Sequence, residues 1–241
     1  MALAHGSRRV AGRLFAHDRR LGARWVAGAD EAGRGCLAGP LVAASVCLDL
    51  HSLTPAGRRA LGDLDDSKRL APAVRERLAR AIWVIAEQVV VAVADAATID
   101  RDGLHRTNLR ILSDVLAGLD PVPQACLVDG FALTPGALAH RAIVGGDGRS
   151  AAIAAASVIA KVTRDRVMSG PIADTYPEYG FDVHMGYATA RHRRAIVTHG
   201  PSAVHRRSFA SASYTEFAQR QAAAGTSASV RRAAYGRASL G

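Results

Sequence analysis

Asp30 and Glu31 are adjacent carboxylates at the end of a short apolar run, residues 25–29, and a glycine turn with one arginine, Gly33-Arg34-Gly35, follows at once. Runs of this kind read as strands that stop at turn residues. Paired acids beside exposed backbone N–H groups suit a hard divalent cation next to a phosphate. Read alone, the stretch fits a polar strand end with a tight turn about as well. Two later places repeat the pattern: Asp129 after residues 125–128, and Asp147 in Gly145-Gly146-Asp147-Gly148 after residues 142–144. In an open α/β sheet, sites gather at the carboxyl ends of parallel strands. If these strands are neighbours, four carboxylates converge and raise one another's pKa. Two divalent ions about 4 Å apart would relieve that cluster and clamp a phosphodiester for in-line attack. Asp147 would also precede a helix N-terminus, where the helix dipole favours its ionised form.

The elements that must position these acids alternate. Residues 7–24 read as a basic helix or arm. Strands are expected at 25–29, 41–48, 89–94, 125–128 and 142–144, and helices at 73–87, 104–119, 150–168, 189–199 and 213–220. The 104–119 segment places Leu104, Leu109, Leu112, Val115 and Leu116 near one helical stripe. The small side chains of 151–156 would let their helix lie close to a sheet. Residues 51–71 are polar and turn-rich, 176–187 read as an aromatic loop, and the last ~20 residues have the composition of a disordered tail. Alternating strands and helices define an α/β layer structure. The short link between the first two strands requires an antiparallel pair, so the sheet is expected to be mixed.

A chain of 241 residues fits one domain, or one domain with an appendage. No apolar run approaches the ~18 residues of a membrane helix. No apolar segment follows the N-terminal arginines, so no secretory signal is expected. Cys36, Cys47 and Cys126 are scattered and lack zinc-ligand spacing, which suits a reducing compartment and a cytoplasmic protein. The formal charge is +10, but residues 1–29 hold +5, residues 190–241 hold +8 and the middle holds −3. An acidic centre between basic ends is what a metal-dependent enzyme acting on a polyanion would show. Arginine bias with solvated charge at the ends is the alternative. Only two cationic residues are lysines, Lys68 and Lys161; lysine is a compact point charge where arginine is a planar fork.

Competing motifs fail on context. Gly33-x-Gly35-x-x-Ala38 matches a dinucleotide fingerprint in letters, but Gly39-Pro40 and a strand follow instead of a helix. Neither a Walker phosphate loop nor a G-x-S-x-G elbow occurs. His184, His192, His199 and His205 suit a basic surface or local hydrogen bonds better than a metal site.

The segment GADEAGRGCLAGPLVAA resembles the opening motif of bacterial ribonuclease HII, a type 2 ribonuclease H. Further likenesses follow in order: DDSKRL at 65–70, LVDG at 127–130, GD at 146–147, IAAASVIAKVTRDR at 153–166, YPEYGFDVHMGYAT at 176–189 and GPSAVHRRSF at 200–209. The resemblance spans about residues 12–210. It implies a ribonuclease H-like fold, a central mixed sheet flanked by helices with a small C-terminal helical part. The expected division is an arm at 1–24, a catalytic domain at 25–210 and an Ala/Ser/Arg-rich tail at 211–241.

The resemblance also implies endonucleolytic cleavage of RNA in RNA–DNA hybrids and on the 5′ side of single ribonucleotides in duplex DNA, leaving 3′-OH and 5′-phosphate ends. It implies two Mn²⁺ or Mg²⁺ ions on Asp30, Glu31, Asp129 and Asp147, and a monomer with no membrane contact. Gly33, Arg34 and Gly35 match the turn that senses the ribose. Tyr187, in G-Y-x-T, matches the tyrosine that joins it at the 2′-OH, which leaves Tyr176 and Tyr179 as packing residues. Ser67 and Lys68 match a phosphate contact, with Lys161, Arg164, Arg206 and Arg207 in support. Cys36 stands where proline is common, which is expected to loosen the loop. Gly145 stands where lysine commonly precedes the GD pair, so one local cation is missing there.

Overall fold

The computed structural model describes residues 2–223, which form two compact units. The first comprises the chain up to Gly35 and Pro40–Val167. The second comprises Cys36–Gly39 and the chain from Met168 on. The division falls inside the expected 25–210 segment, and residues 224–241, where a disordered tail was expected, lie outside the described residues.

The first unit is built on a five-stranded mixed sheet. Its strands are β1 (Trp25–Ala32), β2 (Leu41–Asp49), β3 (Gln88–Ala94), β4 (Ala125–Asp129) and β5 (Arg141–Ile143), in the order β3-β2-β1-β4-β5. β1 and β3 are antiparallel to β2, while β4 is parallel to both β1 and β5. The helices are α1 (Ala2–Arg19), α2 (Pro55–Ala60), α3 (Pro72–Ile85), α4 (Ala96–Asp102), α5 (Leu104–Ala117) and α6 (Ala151–Val167).

Side chains alternate between the faces of a strand. Val42, Ala44, Val46 and Leu48 join α1, α3 and α6 in the main core. Ser45 faces the other way and donates to the Val115 carbonyl of α5 at 2.6 Å. Ala151 to Ala156 are all fully buried, and α6 lies flat against β1 because Gly28 offers no side chain there. Asp18 of α1 fixes the start of α6. It is buried and accepts the Ala152 N–H at 3.0 Å, which satisfies a donor that the first turn of a helix leaves open.

Two departures from the sequence reading have local causes. β1 does not stop at residue 29. Its pairing continues as Asp30↔Ala44, Glu31↔Ala43 and Ala32↔Val42, so both acids lie inside the strand. The helices α2 and α4 went unseen because they are short. Each is nucleated by a side-chain cap, Thr54 accepting from Gly57 N–H and Asp95 accepting from Thr98 N–H. The basic N-terminal segment, read as a helix or arm, is a helix that packs one face into the core through Ala11, Leu14 and Phe15.

The second unit is helical. A π-helical turn, Met168–Ile172, leads through Ala173–Thr175, Pro177–Tyr179 and Phe181–His184 to the helix Ala190–His199, and residues 212–223 are helical again. The expected aromatic loop at 176–187 is therefore a run of short helical turns around a small core. Leu37, Ala38, Met168, Tyr179, Phe181 and Ile196 form that core. Tyr179 stacks on Phe181 at 5.3 Å and donates its hydroxyl to the Gly200 carbonyl at 2.6 Å, which makes it a packing residue.

The Cys36–Gly39 segment is tied into this unit residue by residue. Leu37 N–H donates to Gly186 O at 2.9 Å, Gly39 N–H to Val204 O at 2.8 Å and Arg206 N–H to Leu37 O at 2.8 Å. The Arg206 guanidinium adds a 3.0 Å bond to the Gly39 carbonyl. Cys36 is fully buried. These bonds hold the segment that follows Cys36, where a proline is common, through backbone and guanidinium contacts. No helix among the described residues is long and apolar enough to cross a membrane.

Candidate active site

Parallel pairing of β4 with β1 and β5 sets the acids side by side. Ala29 lies opposite Val128, so Asp30 and Asp129 leave adjacent strands at the same level. β5 then feeds the left-handed Gly145 and a 3₁₀ turn, Gly146–Gly148, which holds Asp147. Gly146 N–H donates to Asp129 Oδ1 at 2.6 Å, and Gly148 N–H to Asp147 Oδ1 at 2.9 Å. A Cβ on Gly146 would stand 2.5 Å from the Ile153 side chain and 3.3 Å from Asp129 Oδ1. A larger residue at this position would have to displace the end of the Ile153 side chain.

Asp30, Glu31 and Asp147 each feel the charge of Asp129. Burial, then the charges of Glu31 and Asp129, push Asp30 well above the usual carboxylate range; hydrogen bonds from the Ser157 hydroxyl and Glu31 N–H work against this. Burial also raises Glu31, with Asp129 adding to it, while Arg34 and a hydrogen bond from Asn108 lower it. Asp147 is raised by burial and by Asp66 and Asp129, and Lys68 opposes this. Lys68 Nζ stands 3.9 Å from Asp147 Oδ2. Desolvation lowers its pKa, but Asp66, Asp30, Asp147 and Asp129 outweigh that and raise it. One lysine thus answers the field of the whole group.

Among the described residues, no three His, Cys, Asp or Glu side chains stand close enough to hold an ion as they are. Local donors hold one oxygen of Asp30, Asp129 and Asp147, and Arg34 Nη1 lies 3.4 Å from Glu31 Oε1. The donor set nevertheless fits hard divalent cations: all carboxylate, mutually repelling, and already drawing in an ammonium.

The Gly33-Arg34-Gly35 turn continues from β1. Gly33 has φ +100°, and a Cβ there would stand 2.1 Å from Arg164 Nε. Arg164 itself is fully buried in α6 and donates from Nε to the Pro40 carbonyl at 2.9 Å. It braces the ends of the turn instead of reaching for substrate. Lys161, also on α6, pairs with Asp165 at 2.7 Å. Ser67 faces inward, 3 % exposed, with its Oγ 2.8 Å from Ser157 Oγ; Lys68 points out to solvent. Tyr187, Arg206 and Arg207 belong to the second unit. There Arg206 is fully buried against Gly39 and Phe209, Arg207 is exposed, and the Tyr187 ring is 39 % exposed.

Several participants escaped the sequence reading. Ser157 links Asp30 to Ser67, Asn108 steadies Glu31, and Arg75 holds the 65–70 loop through the Ser67 and Leu70 carbonyls at 3.0 and 2.5 Å. Exposed Phe131 lies under the Arg34 guanidinium at 5.9 Å. These contacts join residues far apart in sequence, so no local pattern announced them. Only Phe131, an aromatic directly after Asp129-Gly130, gave a readable signal.

Of the four histidines, His184, His192 and His205 serve local hydrogen bonds inside the second unit, while His199 is exposed on the basic helix Ala190–His199. His184, His192 and His205 are buried. Burial, with His184 beside it, lowers His192 to about 4. Burial, with His192, Arg207 and His184 beside it, lowers His205 to about 3. Arg191 and Asp182 also face His184, with opposite effects. The unfolded chain therefore binds protons before the folded one does. The stability that depends on neutral rings is complete above about pH 6.5 and is lost as pH falls towards 4. The raised carboxylates of the first unit act in the opposite sense, so the histidine contribution must be isolated. Between pH 7.5 and 5, unfolding free energy measured in urea should fall by about 2 kcal/mol more in the protein than in a His205→Gln variant.

Comparison with known proteins follows from this geometry. The sequence model of the ribonuclease HII family matches residues 27–212. A ribonuclease HII of Xanthobacter autotrophicus is 48 % identical over 199 residues, covering 81 % of this chain and 76 % of that protein. Among solved structures, the ribonuclease H2 of Pyrococcus horikoshii superposes with a TM-score of 0.67 at 27 % identity, covering 81 % of this chain and 98 % of that one. A Bst-RNase HIII solved in complex with Mn²⁺ shares the fold, with a TM-score of 0.59 at 21 % identity over 84 % of this chain and 72 % of that one.

Proposed function

We infer the finer function from a plain premise: the chain belongs to the ribonuclease HII family and is a ribonuclease H, an endonuclease that hydrolyses RNA in RNA–DNA hybrids. The proposed activity includes cutting on the 5′ side of a single ribonucleotide in duplex DNA, leaving 3′-OH and 5′-phosphate ends. The observation that supports it is that one helix braces two devices. From α6, Ser157 reaches Asp30 of the acid cluster, and Arg164 lies under Gly33 of the turn. A phosphate handled by the acids is thereby kept in register with a sugar inspected by the turn.

Asp30, Glu31, Asp129 and Asp147 would hold two divalent ions, Mn²⁺ or Mg²⁺. Such ions supply Lewis acidity, activating water and offsetting charge on the phosphate and the leaving oxygen. The chain's own residues do the rest. Ser157 and the Glu31 N–H orient Asp30, Gly146 N–H orients Asp129, and Lys68 adds positive charge at the solvent edge for a phosphate. Only the 2′-OH separates RNA from DNA at one nucleotide. A bare glycine backbone can approach it closely, and the exposed Tyr187 ring can pack on the ribose. Within the second unit, Leu37 N–H donates to Gly186 O, next to Tyr187. The protein is read as a cytoplasmic monomer whose partners are RNA–DNA hybrids and ribonucleotide-containing duplex DNA, with basic chain ends adding backbone affinity.

The test is cleavage of a duplex with one ribonucleotide beside an all-DNA duplex and a continuous hybrid, with either metal. A single cut 5′ of the ribonucleotide, and none in the all-DNA duplex, is the expected result. Equal cutting of both duplexes would sink the sugar-sensing argument. Tyr187→Ala should lower kcat/KM on the single ribonucleotide about tenfold more than on the hybrid. Equal losses would make Tyr187 a packing residue only.

A further inference from the structure

Tyr187 is set by an unusual piece of backbone. Two consecutive left-handed residues precede it, Met185 at φ 51° and Gly186 at φ 78°. Met185 is the one non-glycine with positive φ among the described residues. A Cβ on Gly186 would stand 2.4 Å from the Ala38 carbonyl. Tyr187 N–H donates to His184 O at 2.9 Å, and Tyr187 O accepts from Thr189 N–H at 2.7 Å.

A second donor to that carbonyl is His192 Nδ1, at 2.9 Å. Its other nitrogen, Nε2, lies 3.0 Å from His205 Nε2. Two nitrogens facing each other require one proton between them, and the outer partners decide which ring owns it. His205 Nδ1 accepts the Ser202 N–H at 2.9 Å, with Ser202 Oγ 2.8 Å away. That nitrogen is bare, so the His205 proton is on Nε2 and points at His192. His192 Nε2 is then the acceptor, so its proton is on Nδ1 and points at Tyr187 O. Every donor has an acceptor in one sense only. Both rings are buried, 0 and 1 % exposed, and burial keeps them neutral. His184 stacks beneath His192 at 4.5 Å. It carries the same tautomer as His205, accepting Gly186 N–H at Nδ1 and donating from Nε2 to Tyr179 O.

We infer that His192 and His205 are positioning residues for ribose discrimination: an oriented relay, Ser202 to His205 to His192, holds the Tyr187 peptide so that its ring meets the sugar. The inference rests on the reading of Tyr187 given above. The histidines touch no substrate; they act through one carbonyl. A core that merely filled space would need neither the bare Nδ1 on His205 nor the matched tautomers.

The quantity to measure is the ratio of kcat/KM on a single-ribonucleotide duplex to that on a continuous hybrid. His192→Leu removes the donor to Tyr187 and should lower the ratio about tenfold, the worth of one well-placed hydrogen bond. His192→Asn keeps an N–H near the Nδ1 position and should restore most of it. His205→Asn, which removes the donor to His192, is a second route if the leucine variant does not fold, and should lower the ratio in the same direction. ¹⁵N spectra of histidine-labelled protein should show the proton on Nδ1 of His192 and on Nε2 of His205. The reverse tautomers overturn the relay. So does a ratio unchanged by His192→Leu when Tyr187→Ala lowers it. A ratio unchanged by Tyr187→Ala overturns the reading of Tyr187, and the relay's role in selectivity goes with it.

Discussion

Asp129→Asn should reduce cleavage by about three orders of magnitude or more with either metal, while hybrid binding weakens by no more than about threefold. The substitution keeps the shape of the side chain, and its amide oxygen can still accept Gly146 N–H. What it removes is one negative charge from a group that raises Asp30, Glu31 and Asp147 together. An asparagine oxygen is a weaker ligand for a hard cation than a carboxylate. The basic ends of the chain are untouched, so affinity for the polyanion persists. Single-turnover cleavage and fluorescence anisotropy on the same labelled hybrid separate the two effects. Activity within tenfold of the unsubstituted protein would show that the acids do not act as a metal set.

Gly28→Ala should cost about 3–4 kcal/mol of stability, the upper range for one added methyl group in a packed core. The new Cβ would fall 2.2 Å from both Ala152 C and Ile153 N, backbone atoms that no rotamer change can clear. Either α6 lifts from β1 or the strand bends. Both Ser157 and Arg164 ride on α6, so activity should fall further than the folded fraction accounts for. Urea unfolding and kcat/KM on a hybrid measure the pair of effects. Gly12→Ala is the control: nothing lies within 4 Å of an added Cβ, and alanine is about 1 kcal/mol better than glycine inside a helix. A Gly28→Ala protein as stable as the control would show that α6 is not seated on β1 in this way.

The acids were legible because chemistry concentrates them: Asp30-Glu31, Asp129 and Asp147 each follow a short apolar run. Their arrangement depended on strand order, which a single sequence does not encode, and the β1–β4 and β4–β5 neighbours supply it. Helix α6 was readable from its alanines, and its close seat on β1 follows from them and from Gly28. The contacts that tune the site were not readable. Ser157, Asn108 and Arg75 look like ordinary helix residues until tertiary packing puts each beside a partner far away in the chain. The histidines show the same limit from the other side. A basic stretch such as 189–199 has the composition of a surface, and only packing reveals that His192 is buried and oriented. Short elements such as α2 were missed despite visible capping residues, because a single turn has no periodicity to detect.

The four residues Cys36–Gly39 leave the first unit and return to it within one short excursion. Their backbone partners, Gly186, Val204 and Arg206, are made some 150 residues later. During synthesis, β1 and β2 can pair long before this segment has anything to bond to. The glycine turn that precedes it is therefore tethered on its far side only after the chain has been made past residue 206. A ribosome-bound chain that has passed Val167 already holds Asp30, Glu31, Asp129, Asp147 and α6, while the Cys36–Gly39 segment still lacks its backbone partners.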